Sequence, residues 1–383
     1  MKISDIKTTV LKSPEYPNGA WVLVRVQTAS GEEGVGECFV PDRFGKGVFA
    51  AQAIVEHSLK DVVLGQNVLE TAKIWQRMYE VCGRLYDRRG LALHALSGLD
   101  MAVHDATGKV LGQPLSVLLG GRFRDRVKLY VSSVWVTADS PERSLEDVRR
   151  YVGEGYRAIK FYGWPDFGSD RKRDTKLLQE IRKVAGEGID LMLDLGRPGS
   201  LSEAIGMARM IEQSGAEIAW WEEPLSSTDD LENLVDLNQR TDVTIAAGES
   251  EITSFAIRDL LRRKAVGVVQ PDLSWVGGIT EGRRIAELAR FWNVPLVPHN
   301  WGTAINFAAS LHLVASMPGG ELCEYPITRR TWGDDGADSP SPMMTRLARN
   351  PVDVREGYAR VPEGPGIGIE LDEDVVAEFT VRS

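Results

Sequence analysis

From Val127 onward the chain repeats one pattern, and that pattern limits its fold more than any other feature. A short β-branched run is followed by a stretch with helical spacing of apolar residues, again and again. The runs are VKLYVSS, RAIKFY, DLMLDL, IAWWEEP, VTIAAGE, VGVVQPD, VPLVPH and GGELCEYP. Between them lie stretches such as SPERSLEDVRRYVGEG and SLSEAIGMARMIEQSG, which open on Ser or Pro and close at Gly, as helices do. Strands alternating with helices over roughly 200 residues predict an α/β architecture, a (β/α)8-type barrel. The repeat is one of architecture, not of residue identity.

The barrel does not use the whole chain of 383 residues. Residues 1–40 alternate like strands joined by a turn at SGEEG, and about 49–119 have helical texture. In GLALHALSGLDMAVHDATGKVLG the small residues Ala95, Ser97, Gly98 and Ala102 permit close packing of a neighbour. The expected division is a first α+β domain over 1–125, a barrel over 126–325, and a segment over 326–383 that returns to the first domain. Within that last segment GDDGADSPSPMM reads as a loop. GPGIGI looks like a nucleotide loop, but it follows no barrel strand and opens no helix, so a turn is the better assignment.

A hydrophobic content of 43% with 26% charged residues supports a full core, and a net charge of −10 argues against nucleic acid and anionic membranes as partners. Cys38, Cys82 and Cys323 are odd in number and far apart, which fits neither a disulfide framework nor zinc spacing. No signal-peptide pattern and no membrane-length apolar run occur, so a cytoplasmic location is expected.

The polar residues ending the late runs are Lys160, Asp194, Glu222, Glu249, Asp272, His299 and Glu324. From Asp194 the intervals are 28, 27, 23, 27 and 25 residues, each the length of one β/α unit. Residues at strand C-termini converge on the barrel mouth. Asp194, Glu222 and Glu249 would repel one another there unless a cation intervenes, and an all-oxygen set suits a hard divalent ion, Mg²⁺. Side chains alternate along a strand, so Glu222 is assigned to the ion and Glu223 to an outer hydrogen bond or ion pair. Asp272 beside His299 makes a general base. A neutral Glu324 opposite it could donate a hydrogen bond to developing negative charge. Lys160 would hold a substrate carboxylate.

These residues, with ALSGLDMAVHDATGKVLGQPLSVLLGG, AAGES, QPDLSWVGGITE and VPHNWGT, make the chain resemble the mandelate racemase subgroup of the enolase superfamily over nearly its whole length. The resemblance implies a modified TIM barrel, (β/α)7β, with an α+β capping domain formed by both termini. It also implies Mg²⁺ on Asp194, Glu222 and Glu249, a His299–Asp272 dyad and Glu324 as electrophilic partner. Two positions depart from the pattern. Lys160-Phe161-Tyr162 stands where racemases of this type resemble Lys-x-Lys, and Asp194-Leu195-Gly196 stands where Asp-x-Asn is usual. Tyr162, with an ordinary pKa near ~10, is a weak base but can donate a proton.

A single strong base favours dehydration of a sugar acid, aldonate or aldarate, to a 2-keto-3-deoxy acid. The alternative is an epimerase, racemase or lactone cycloisomerase, with Tyr162 supplying the second proton transfer. Arg43, Arg88, Trp164 and Trp301 are candidates for contacts to the small-molecule carboxylate substrate. A homo-oligomer is expected from the habits of the fold.

Overall fold

The structure is a computed structural model that describes residues 1–13, 19–41, 47–86, 88–136, 141–162, 166–195, 198–226, 229–328 and 339–381. Strands β1 (Ile3–Leu11), β2 (Gly19–Thr28) and β3 (Glu33–Pro41) form an antiparallel meander. Helices α1 (Gly47–Ile54) and α2 (Lys60–Val63), joined by a π-helical turn over Val55–Leu59, lead into α3 (Thr71–Leu85) and α4 (Leu91–Leu111), with a short α5 (Leu115–Leu118) after it. Nearly every residue of α4 is buried. A helix apolar on all sides belongs in the interior, and α4 lies between the meander and the barrel.

Its small residues set how closely β3 approaches. A Cβ on Gly36 would be driven into the Gly98 carbonyl and the Ala102 amide, and one on Gly34 into the Ala102 carbonyl. Backbone therefore packs on backbone. The acids of α4 are buried too, at a cost met only by full hydrogen bonding. Asp105 accepts from Val35 N (2.8 Å), Ile367 N (2.8 Å) and Lys109 Nζ (2.7 Å), which ties β3 and the C-terminal segment to the helix. Asp100 accepts from Thr280 N (2.9 Å) and Thr280 Oγ1 (2.7 Å) in the first turn of a barrel helix.

The barrel runs β4 (Arg126–Trp135), α6 (Pro141–Gly153), β5 (Ala158–Tyr162), α7 (Arg171–Ala185), β6 (Asp190–Asp194), α8 (Leu201–Ser214), β7 (Ile218–Glu222), α9 (Leu231–Arg240), β8 (Ile245–Ala247), α10 (Thr253–Arg262), β9 (Val268–Val269) and α11 (Gly278–Trp292). The seventh strand position is residues 296–299, held to its neighbour by the parallel bridges Val269–Leu296 and Asp272–His299. After α12 (Ala304–Ala315), β10 (Leu322–Thr328) lies parallel to β4 and brings the sheet round. Asn300 N and Nδ2 reach Glu324 Oε2 (2.7 Å) and Glu324 O (3.4 Å) across the remaining seam. Eight strand positions with seven helices between them make a (β/α)7β barrel, one helix short of the regular alternation.

The C-terminal segment comprises β11 (Ser339–Pro340), α13 (Pro342–Thr345), β12 (Val354–Arg355), β13 (Tyr358–Arg360) and α14 (Glu373–Phe379). SPSPMM is not loop: Ser339 and Pro340 pair with β10, and Ser341 caps α13 through Met343 N. β13 adds to the outer start of β4, while Lys12 N to Phe379 O (2.9 Å) and Arg25 to Glu373 (2.9 Å) fasten α14 to the meander. GPGIGI is a turn with positive φ at Gly366 and Gly368, packed on Asp105. The three cysteines are buried and unbridged, and no helix of the described residues is long and apolar enough to cross a membrane.

Replacing Gly36 by Ala should lower stability by about 1–3 kcal/mol, the usual cost of overpacking. Gly153→Ala, where an added Cβ meets nothing within 4 Å on a helical backbone, is the control and should keep or raise stability by up to about 1 kcal/mol. Urea unfolding of the two variants beside the parent protein checks the difference.

Candidate active site

Inside the barrel Tyr130, Ala158, Met192, Trp220, Ala246, Val268 and Val297 form one apolar layer, with Leu322 against it. Side chains repeat direction every second residue along a strand. The next layer toward the C-terminal mouth is therefore Ser132, Lys160, Asp194, Glu222, Gly248, Gln270, His299 and Glu324. At Gly248 the chain takes φ 119° and Glu249 follows at the mouth. The layer stacks charge on an apolar floor.

Lys160 is buried between two carboxylates: its Nζ pairs with Glu222 Oε1 and stands 2.9 Å from Glu324 Oε1. Burial works against its charge, but Glu222 and Glu324 outweigh it and hold the ammonium well above its ordinary pKa. Glu222 spends its other oxygen on Gln270 Nε2 (2.6 Å) and Trp220 Nε1 (3.1 Å). Asp194 is half-buried beside Tyr162, its register partner on β5. Burial and then Glu222 push Asp194 up to about 8, against the pull of Lys160. Glu249 is raised by burial and by Glu222, although His299 opposes the shift.

His299 Nδ1 lies 2.7 Å from Asp272 Oδ2, and Nε2 lies 3.4 Å from Glu249 Oε2. Asp272 is itself fixed: its Oδ1 accepts from Ser274 N (2.7 Å), Ser274 Oγ (2.6 Å) and Asn306 Nδ2 (3.2 Å). Asn306 Nδ2 also reaches Asn300 Oδ1 at 3.0 Å, so one polar chain runs from Asp272 through Asn306 and Asn300 to Glu324. Burial disfavours the imidazolium, yet Glu249, Glu324 and Asp272 together push His299 up to about 10. Burial raises Glu324, but Lys160 and His299 more than reverse it and hold the carboxyl below its ordinary range. The expected neutral Glu324 is thus an anion in this arrangement, because two cations face it.

The alternation argument fails at Glu223. That residue adopts φ 42°, which breaks the strand's alternation, and its Oε1 accepts from Gly248 N at 2.8 Å. The hydrogen bond is of the outer kind expected. The carboxyl nevertheless belongs to the acidic cluster: burial and then Glu249 push it up to about 8.

Among the described residues no three His, Cys, Asp or Glu side chains are drawn together into a closed ligand set. Trp301 is half-buried against the core beside Asn300. Arg88 is exposed, with its guanidinium 5.2 Å from the Tyr79 ring on α3, and is not drawn into the cluster. Arg43, Trp164 and Gly196 lie outside the described residues.

Sequence reasoning passed over Ser132 and Gln270, which the two-residue step from the apolar layer would have found. It also passed over Glu37. This buried acid on β3 accepts from Thr303 N (2.7 Å) and from Thr303 Oγ1, and so holds the residue that caps α12 through Ile305 N, four positions after His299. Its alternating strand pattern gave no sign of that contact.

Two family models match the chain. Residues 143–375 match the model described as enolase C-terminal domain-like, and residues 13–120 match the mandelate racemase/muconate lactonizing enzyme N-terminal domain. The chain belongs to the enolase superfamily, in its mandelate racemase/muconate lactonizing enzyme group. It is 30% identical to the D-galactarolactone cycloisomerase of Agrobacterium fabrum over 391 residues, 99% of each chain. It is also 30% identical to the D-xylonate dehydratase of Haloferax volcanii, covering 100% of this chain and 89% of that one. Among solved structures, the 3,6-anhydro-D-galactonate cycloisomerase of Zobellia galactanivorans superposes with a TM-score of 0.85 at 28% identity, covering 100% of both chains.

Burial pushes Glu37 up to about 7 from an ordinary value near 4.5. The folded state then holds this proton more tightly than the unfolded one, so the contribution to stability is full below about 4.5 and falls as pH rises toward 7. Glu37→Gln mimics the protonated acid. Relative to it, the parent protein should lose about 1.4 kcal/mol per pH unit across that window and level off above it. Urea unfolding of both proteins from pH 5 to 8 measures the difference.

Proposed function

We propose that the protein is a Mg²⁺-dependent sugar-acid dehydratase that removes the α-proton of an aldonate or aldarate and expels the β-hydroxyl as water. The observation that carries this reading is the His299–Asp272 pair placed against the carboxylates of the mouth, with Tyr162 where a second lysine base would stand. The D-xylonate dehydratase similarity supports it.

The donor set fits a hard divalent ion. Asp194, Glu222 and Glu249 offer only oxygens and come from three successive strand ends, and burial with the neighbouring Glu222 opposes ionisation of Asp194 and Glu249. These three residues would hold Mg²⁺, which when bound supplies positive charge for the substrate carboxylate and lowers the proton affinity of His299 by offsetting the field of the acids.

His299 then works as the base. Asp272 on Nδ1 fixes the tautomer, leaving Nε2 to take the C2 proton. The C–H electron pair moves into the carboxylate, giving an enediolate. Lys160, kept cationic by its neighbours, binds a carboxylate oxygen and stabilises that charge. As Lys160 turns to the substrate, Glu324 loses part of the attraction that keeps it ionised, so its proton affinity rises; once it has taken a proton from solvent on substrate entry, its hydroxyl can donate a hydrogen bond to the enediolate oxygen. Collapse of the enediolate forms the C2–C3 double bond and breaks the C3–O bond. The imidazolium returns its proton to the departing hydroxyl, so water leaves and the base is restored. The enol that remains tautomerises to a 2-keto-3-deoxy acid.

A second reading is favoured by the galactarolactone relative, which matches this chain end to end. In a cycloisomerase or epimerase, Tyr162 would act on the side of the substrate away from His299.

Incubation with a sugar-acid panel in D₂O with Mg²⁺ separates the two. A dehydratase forms keto acid with deuterium at C3; α-deuterium without loss of water points to the second reading. His299→Asn should lower turnover at least 10²- to 10⁴-fold. Independently of turnover, Mg²⁺ should raise the melting temperature of the parent protein by mass action and do so far less for Glu249→Gln. Equal shifts in both would remove Glu249 from the ligand set.

A further inference from the structure

We infer that Trp275 is a positioning residue for the base, through which the capping domain sets the orientation of the His299 ring. The inference rests on the assignment of His299 as the base.

Trp275 lies in the turn that follows β9, three residues after Asp272, and its indole is almost fully buried. Two groups of the capping domain lock it. Its Nε1 donates to the Phe39 carbonyl at 2.8 Å, and the Phe39 ring stacks on it with centroids 5.6 Å apart and planes 15° apart. His94 of α4 stacks on it as well (5.6 Å, 17°) and contacts the same Phe39 carbonyl through Nδ1 at 3.2 Å. The indole in turn stacks on the His299 imidazole, with centroids 5.3 Å apart and planes 28° apart.

This contact supplies what Asp272 cannot. A single hydrogen bond at Nδ1 fixes one edge of the imidazole but leaves the ring free to swing about that bond. A rigid aromatic face against the ring removes that freedom, so the direction of Nε2 is set by two constraints at right angles. The indole face also favours the ring when it carries the proton, because an aromatic quadrupole attracts a cation. Phe39 and His94 both hold the indole, so Trp275 is one link by which docking of the capping strand acts on the base.

Proton abstraction depends steeply on the aim of Nε2, and a misplacement of about an ångström can cost 10²-fold. Trp275→Leu should therefore lower kcat by about 10²-fold while KM stays within about twofold. Trp275→Phe, which keeps an aromatic face, should recover most of the loss. Circular dichroism and melting temperature establish that each variant is folded. A spectroscopic arm needs no turnover and no variant at this position. The chain has five histidines, so the Cε1–H resonance of His299 can be assigned by its disappearance in His299→Asn. That resonance should be displaced by the indole ring current in the parent protein. An undisplaced resonance overturns the inference, as does a folded Trp275→Leu protein with unchanged kcat or with its loss confined to KM. If the parent protein turns over no sugar acid, the functional assignment fails on that result, and the resonance position still decides whether the indole holds the ring.

Discussion

Excess negative charge in the barrel mouth governs the rest of this structure. Among the described residues, Asp194, Glu222, Glu223, Glu249, Asp272 and Glu324 share the confined space with two cationic side chains, Lys160 and His299. Burial, cations and fellow acids pull differently on the carboxylates, so the site divides. At Glu324 the pull of Lys160 and His299 wins over burial, whereas at Asp194, Glu223 and Glu249 burial and the neighbouring acids win and the proton affinity climbs. The same field lifts His299 far above an ordinary imidazole. A base that already holds its proton cannot take another. Positive charge on the acids is therefore a condition of basicity, not merely an aid to binding the substrate.

The barrel was legible because its constraint is periodic. β-branched runs spaced by helices leave few architectures open, and the strand-end polar residues fall at intervals of one β/α unit. The candidate mouth residues follow from those same intervals, one polar residue to each strand end, with no need of the apolar layer beneath them. Periodicity failed where the backbone leaves the strand. Glu223 lies at a positive φ, and alternation no longer says where its side chain goes.

The contacts between domains left almost no trace in the sequence. Glu37 looks like any acid in the middle of a strand, and Trp275 like any core aromatic. Their roles arise only when β3 settles on α4 at the distance that Gly34 and Gly36 permit, which brings residues 37 and 39 to the segments on either side of His299. Such contacts join residues more than two hundred positions apart and have no period. The glycines were visible as small residues; what they were small for was not.

The base thus has two kinds of support, with different consequences. Its proton affinity comes from charges within the barrel layer, while its orientation draws on the capping domain through Thr303 at one side and the indole at the other. A change in the meander or in α4 can therefore alter the aim of His299 without touching a charged residue of the mouth. One strand, β3, would then connect the seating of the capping domain with the aim of Nε2 at the α-proton of the substrate, and a shift of that strand would leave a base that is charged correctly but aimed wrongly.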